Sequence, residues 1–194
     1  MAAIQTVFNG IEYRSRLEAR WASFMTNIGW DHIYEPFDGD GYIPDFVVTG
    51  PSPLLIEVKP AITQTDLEAA VPKAESGLRA HWRRDVLVVG ASPILTGPRI
   101  GNSSGITAGW LGEFLTVPEC VDLPSDGWVW DAADWFNCGR CGSTSVYHTL
   151  MTFNGRPCGC YEGDHYLHTW GIERKIAVAW SDACNDVKWR GRPA

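Results

Sequence analysis

What the chain has little of narrows its class first. Positive charge is scarce: 16 Lys+Arg face 23 Asp+Glu, a net charge of −7. A broad basic surface of the kind that coats duplex DNA is thereby excluded, and any nucleic-acid contact must come from local patches. The chain has no run of 18 apolar residues, and its opening residues, MAAIQTVFNG, carry neither a basic stretch nor an apolar core. Neither a membrane span nor a secretory leader is expected, and the reading is a soluble, cytoplasmic protein. With 12 Pro and 20 Gly, no repeat and no low-complexity segment, collagen, a disordered tail and a coiled coil are excluded as well.

What is present describes a globular protein: 194 residues, 45% hydrophobic and 12% aromatic, with ten Trp that are expected mostly in the core. This length buries one sizeable domain, or one domain with a small appendage. Asn9-Gly10 between two alternating runs predicts a β-hairpin. Ser15 then caps a helix over 16–28, with Leu17, Trp21, Phe24, Met25 and Ile28 at helical spacing. A short strand at 32–35 precedes YIPDFVV and LLIEVK, which TGPSP joins as an antiparallel hairpin. Thr65-x-x-Glu68 has capping-box form and opens a helix carrying Leu67, Val71, Ala74 and Leu78, in which Pro72 calls for a kink or a late start. DVLVVG reads as a buried strand, with two more strands expected over 106–110 and 113–117. A helix over 172–189, with Ile172, Ile176, Ala179 and Ala183 on one face, closes the chain. The fold class is α/β, divided into a core over 1–119 and a small cysteine-bearing module with a closing helix over 120–194.

The residues suited to chemistry lie in IPDFVVTGPSPLLIEVK. If Val48 and Leu54 are the last pair before the loop, paired positions sum to 102 and Asp45 stands opposite Glu57. Asp45, Glu57 and Lys59 then share one face, while Phe46, Ile56 and Val58 cover the other. Opposed side chains have Cβ atoms about 4.5–5.5 Å apart, so two carboxylates there repel and require a counter-charge. A hard divalent cation, Mg2+ or Mn2+, supplies it, with Lys59 near enough to orient a water. Glu18 borders the apolar stripe of the first helix and can look toward the sheet. Ser15-x-x-Glu18 is also a capping box, so a purely structural role stays open.

Taken in order, Glu18, Pro44-Asp45 and Glu57-Val58-Lys59 resemble the PD-(D/E)xK nuclease superfamily, and their arrangement is similar to that of archaeal Holliday-junction resolvases and small phage-borne nucleases. The likeness covers about residues 6 to 90. It implies a restriction-endonuclease-like core, a mixed central sheet flanked by helices, that hydrolyses DNA phosphodiesters with Mg2+ or Mn2+. It further implies Asp45, Glu57 and the Val58 carbonyl as cation ligands, Glu18 as an auxiliary one and Lys59 as the lysine that positions water. Gln64-x-x-x-Glu68 lacks the Tyr of the RecB-type motif, which weakens an exonuclease reading against an endonuclease one. The alternative is a catalytically silent nuclease fold that binds DNA or a host protein. A homodimer, and a host or phage protein partner, stay open, as does residence in the host cytoplasm of a phage-borne protein.

Cys138-x-x-Cys141 and Cys158-x-Cys160 have the two-knuckle layout of a structural zinc site, with His148, His165 or His168 as an alternative fourth ligand. Cys120 and Cys184 are expected as ordinary buried thiols. Arg14, Arg16 and Arg20 on the first helix, and Arg79, Arg83 and Arg84 after the second, are the candidate phosphate contacts.

Overall fold

Asn9 and Gly10 both take positive φ, 48° and 78°. Such a pair matches the twist of two antiparallel strands, and it joins β1 (Thr6–Phe8) to β2 (Ile11–Tyr13). The structure, a computed structural model, describes residues 4–95, 106–115, 126–148, 160 and 167–188.

Five residues beyond that turn, Ser15 caps α1 (Arg16–Asn27), its hydroxyl accepting from the Glu18 backbone N–H at 3.1 Å. The helix buries Ala19, Trp21, Ala22, Phe24 and Met25. Next come β3 (His32–Tyr34), β4 (Phe46–Val48) and β5 (Leu54–Val58), all antiparallel neighbours. Val48 pairs with Leu54 and Phe46 with Ile56, which is the register expected from the loop length.

The next helical segment differs from the expectation. Thr63, not Thr65, is the cap of α2 (Gln64–Glu68): its hydroxyl accepts from the Asp66 N–H while the Asp66 carboxylate accepts from the Thr63 N–H. Two overlapping capping patterns compete here, and the shorter Asp side chain at Asp66 closes the ring. Pro72 enforces a fresh start, so α3 (Val71–Leu78) is a second helix with the proline in its first turn. Returning parallel to β5 is β6 (Val86–Val89). The two strands expected over 106–117 are one, β7 (Thr107–Leu115), which pairs with β8 (Gly127–Cys138) along its length. β9 (Thr144–His148) and β10 (Leu167–His168) both pair with β8, and α4 (Ile172–Asp186) follows.

The result is a mixed α/β architecture: an eight-stranded sheet, parallel only between β5 and β6, with helices on both faces. The sheet runs across the boundary expected near residue 120, since β8 belongs to it. One face carries Phe46, Val48, Ile56, Leu87, Leu111 and Trp135 beneath α1 and α4. On the other, Val47, Leu55, Val86 and Val88 meet Leu67, Val71, Ala74 and Leu78 of α2 and α3. Five indoles tie distant segments together by hydrogen bonds, Trp21 to the Gly90 carbonyl, Trp30 to Thr144, Trp128 to Arg84, Trp130 to the Glu75 carboxylate and Trp135 to Pro93. Among the described residues, no helix is long and apolar enough to cross a membrane.

A register shift at Thr107–Gly109 brings the β7 backbone against β6, and a Cβ on Gly109 would stand 2.3 Å from the Val88 carbonyl oxygen. Gly109→Ala is therefore expected to lose about 1–3 kcal/mol of stability in urea unfolding. Gly127→Ala, whose methyl meets open space, should change it by only a few tenths.

Candidate functional site

The end of β5 is where polar groups become buried. Asp45, just before β4, and Glu57, the fourth residue of β5, are each 5% exposed. They lie across the ladder from each other in the observed register. Each oxygen of Asp45 has a partner: Oδ2 accepts from the Val58 backbone N–H at 2.7 Å, and Oδ1 from Arg14 Nη2 at 2.6 Å. Glu57 Oε1 is paired with the Lys59 ammonium, while Oε2 is buried and, among the described residues, accepts no hydrogen bond of regular geometry.

Glu18, 9% exposed at the first turn of α1, joins from the helix side. It accepts from the Ser15 hydroxyl at 2.8 Å and from the Tyr34 hydroxyl at 2.6 Å, and its Oε2 lies 3.8 Å from Arg14 Nε. The two roles left open for Glu18 are thus not exclusive. Its backbone N–H is capped by Ser15, and its carboxylate, freed from reaching back to a backbone N–H, turns to Tyr34 and Arg14.

Two further residues complete the constellation. Glu35 adopts φ of 46°, a left-handed conformation costly for a side chain of this length. Its N–H donates to the Asp45 carbonyl at 2.9 Å, and its carboxylate pairs with Arg14 Nε at 2.9 Å. Tyr42 places its phenol in the same neighbourhood, buried and directed to the Glu57 carboxylate, though it makes no hydrogen bond of regular geometry among the described residues. Its ring lies over Gly77 of α3, where a Cβ would come within 2.4 Å of ring carbons. Burial, then the Glu57 charge, pushes the Tyr42 phenol well up, and Tyr34 is raised by burial and by its bond to Glu18.

Four carboxylates and two basic groups share this space. With all of them ionised, two negative charges are uncompensated. The Asp45 carboxyl is pushed up to about 7, chiefly by burial and next by the facing Glu57. Arg14, half exposed and so partly screened by solvent, offsets only part of this. An oxygen-only donor set and an orphaned buried carboxylate oxygen fit a hard divalent cation in place of the missing charge. Asp45, Glu57 and the Val58 backbone lie together at the end of β5, and Glu18 is linked to them through Arg14.

The remaining arginines are placed elsewhere. Arg16 and Arg20 lie partly buried on α1, and Arg20 Nε is buried without a hydrogen-bond partner. Arg79 pairs with Glu75 at 2.6 Å. Arg83 and Arg84 border surface grooves of about 320 and 210 Å3 with Asp85, Glu113, Phe114 and Trp128, near the start of β5 rather than its end.

A second cluster forms where β8 turns into β9. Gly142 at φ 74° lets its N–H reach the Cys138 carbonyl at 2.7 Å, while the Cys138 N–H donates to Ser143 at 2.8 Å. This knuckle sets Cys138 and Cys141 facing Cys160, with all three sulfurs within 4.8 Å of one another. Three cysteines so placed can hold a metal ion. The Cys141 thiol is pushed down to about 6, mainly by hydrogen bonding with Ser143. Among the described residues this is the one group of three or more His, Cys, Asp or Glu ligand atoms gathered so closely. Cys158, His165 and Cys120 lie outside the described residues. His168 stands opposite Asn137 in the ladder, and His148 opposite Ala133. Cys184, expected buried, is only partly so, since it falls at the margin of the α4 face whose centre is Ile176 and Ala183.

No family model, curated protein or solved structure matches the chain. The site is therefore read from its own geometry. Sequence reasoning named Glu18, Asp45, Glu57 and Lys59, and the structure brings all four to one end of β5. Missed were Tyr34, Glu35 and Tyr42, and the bridging place of Arg14. Of these only Arg14 carried a signal, being a cation four residues before Glu18.

Because the folded Asp45 value lies above the unfolded one of 3.8, the metal-free native state bears no penalty below that pH, gains one as pH rises, and bears it in full above about 7. In EDTA, the melting temperature of Asp45→Asn relative to wild type should therefore climb between pH 4 and pH 8. A difference that stays flat across this range would contradict burial of the charge.

Proposed function

We propose that the protein is a metal-dependent nuclease, a DNA endonuclease that hydrolyses phosphodiesters at the end of β5, with Mg2+ or Mn2+ at Asp45 and Glu57. The observation that carries this is the buried, unpartnered Glu57 Oε2 facing a carboxylate across the hairpin. A purely structural hairpin gains nothing from opposed like charges. The resemblance of Glu18, Asp45 and Glu57-Val58-Lys59 to the PD-(D/E)xK pattern supports the same reading, and with it a restriction-endonuclease-like core. So does the central placing of β5, antiparallel to β4 and parallel to β6.

When bound, the cation would polarise a phosphoryl oxygen and neutralise charge that builds on the phosphate. The chain's own groups do the rest. Asp45, fixed by the Val58 N–H, holds one oxygen in a set direction. Lys59, a quarter exposed, reaches from the solvent margin to Glu57 and is placed to orient the attacking water. Glu18, locked by Ser15 and Tyr34, fixes the acidic side of the site. Cys138, Cys141 and Cys160 would hold a structural Zn2+, with Cys158 as the expected fourth ligand, an appendage that steadies the β8–β9 turn.

A second reading has one observation in its favour. Arg14 and Lys59 already pair with Asp45 and Glu57, as in a site retired from catalysis and kept for binding DNA or a protein.

Incubation with supercoiled plasmid, linear duplex, single strands and a four-way junction, each in Mg2+, Mn2+ or EDTA, separates the two readings. Cleavage is expected only with the cation, and Asp45→Ala and Lys59→Ala should each slow it by about a hundredfold or more. Folded, zinc-loaded protein that cleaves none of these substrates would leave the binding reading. A separate expectation concerns the cysteines: elemental analysis should find one zinc per chain. Its removal by a strong chelator, or Cys141→Ser, should lower Tm by about 10 °C.

A further inference from the structure

Arg14 grips three carboxylates at once. Its Nε lies 2.9 Å from Glu35 Oε1 and 3.8 Å from Glu18 Oε2, and its Nη2 lies 2.6 Å from Asp45 Oδ1. It does so from the rim, with half its side chain exposed. The base of the side chain is fixed, since the Arg14 N–H donates to the Tyr34 hydroxyl at 3.0 Å and the next residue caps α1. A long side chain on a fixed base, with its head at the solvent boundary, can leave one partner for another without disturbing the fold.

The two facing carboxylates are not equally available to an incoming cation. Glu57, 95% buried, has a free Oε2. Asp45 does not: Oδ2 is held by a backbone N–H that belongs to the sheet, and Oδ1 by Arg14. A divalent cation held by Glu57 and Asp45 would meet the guanidinium that already neutralises Asp45 at Oδ1. Two positive groups at one oxygen repel, so one gives way. The Val58 N–H cannot, because it is part of the chain's central strand. Arg14 can.

We propose that Arg14 is a resident counterion that competes with the divalent cation for Asp45 Oδ1 and, once displaced, turns its guanidinium to a phosphate of the nucleic acid. This rests on the reading of Asp45 and Glu57 as cation ligands. The released guanidinium stays tethered through Glu35, which holds its Nε rather than its Nη2, so the motion is short. A planar fork with two free N–H groups then suits bidentate contact with phosphate oxygens. Cation and substrate bind in a linked way: the cation frees the group that receives the phosphate, and the phosphate draws off the group that opposes the cation.

Calorimetric titration of Mn2+ into the zinc-loaded full chain tests this, with wild type, Arg14→Gln, Arg14→Lys and Glu57→Gln compared at one pH and salt. Arg14→Gln should bind Mn2+ about tenfold more tightly than wild type, the gain from one partly exposed ion pair that no longer has to be broken. Glu57→Gln should bind it too weakly to measure. On duplex or junction DNA at saturating Mn2+, Arg14→Gln should raise KM several-fold with a smaller change in kcat. Mn2+ affinity in Arg14→Gln equal to or weaker than wild type, with Glu57→Gln still defective, would overturn the role of Arg14 and leave the metal site standing. Absence of Mn2+ binding in wild type and Arg14→Gln alike would overturn both. Should Arg14→Gln fail to fold, Arg14→Lys decides. Its single-point ammonium holds Oδ1 less firmly than the fork, and unchanged affinity there overturns the proposal as well.

Discussion

Two carboxylates facing each other across a buried hairpin set the terms for everything around them. Asp45 and Glu57 repel, and neither can relax into water. The surrounding residues answer this in three ways: a backbone N–H from Val58, a guanidinium from Arg14 and an ammonium from Lys59. The arrangement falls one oxygen short of closure. That shortfall lies at Glu57 Oε2, on the side of the carboxylate away from its pair with Lys59 Nζ at Oε1. The left-handed backbone at Glu35 is part of the same answer, because it turns a fourth carboxylate onto the arginine that Asp45 requires.

Such a site needs a stiff base, and the sheet supplies one. β5 is flanked by β4 and β6 and covered on both faces, by α1 and α4 on one side and by α2 and α3 on the other. Alternation along the strand separates the two tasks: Ile56 and Val58 hold the α1 face while Glu57, between them, points the other way. Glu18 approaches from α1 itself, so the acidic cluster joins a helix N-terminus to the end of a strand. The Ser15 cap keeps that N-terminus in place, and it also fixes the residue next to Arg14.

The parts legible in the sequence were those set by local rules. Asn9-Gly10 demanded a turn with two positive φ values, Ser15 a cap, and the loop between Val48 and Leu54 a register, from which the opposition of Asp45 and Glu57 followed. Where two local rules overlapped, the reading slipped. Thr63 and Thr65 both precede an acidic residue at the right spacing, and the reciprocal bonds between Thr63 and Asp66 mark Thr63 as the cap. Two strands were expected over 106–110 and 113–117, yet the chain runs through as one, with Gly109 giving close approach to the β6 backbone and Gly112 to the Trp130 ring. Tyr34, Glu35 and Tyr42 left no trace because their roles depend on where β3 and the following loop pass over the end of β5. The cysteine pairs announced a metal site by spacing alone, and the meeting of Cys138, Cys141 and Cys160 agrees with it.

The abundance of tryptophan has an optical consequence. Trp21, Trp30 and Trp135 are fully or nearly fully buried among aromatic neighbours, each with its indole N–H committed to a carbonyl on another segment, whereas Trp170 is 92% exposed. Among the described residues, emission is therefore a sum of a shielded population and an accessible one, the latter including the partly buried Trp82, Trp128, Trp130 and Trp180 beside Trp170. The shielded one reports whether α1 and the β8–β9 hairpin are docked on the sheet. Quenching by a dissolved ion that cannot enter the core would read the second population alone, so the molecule carries its own internal reference for following its assembly without a label.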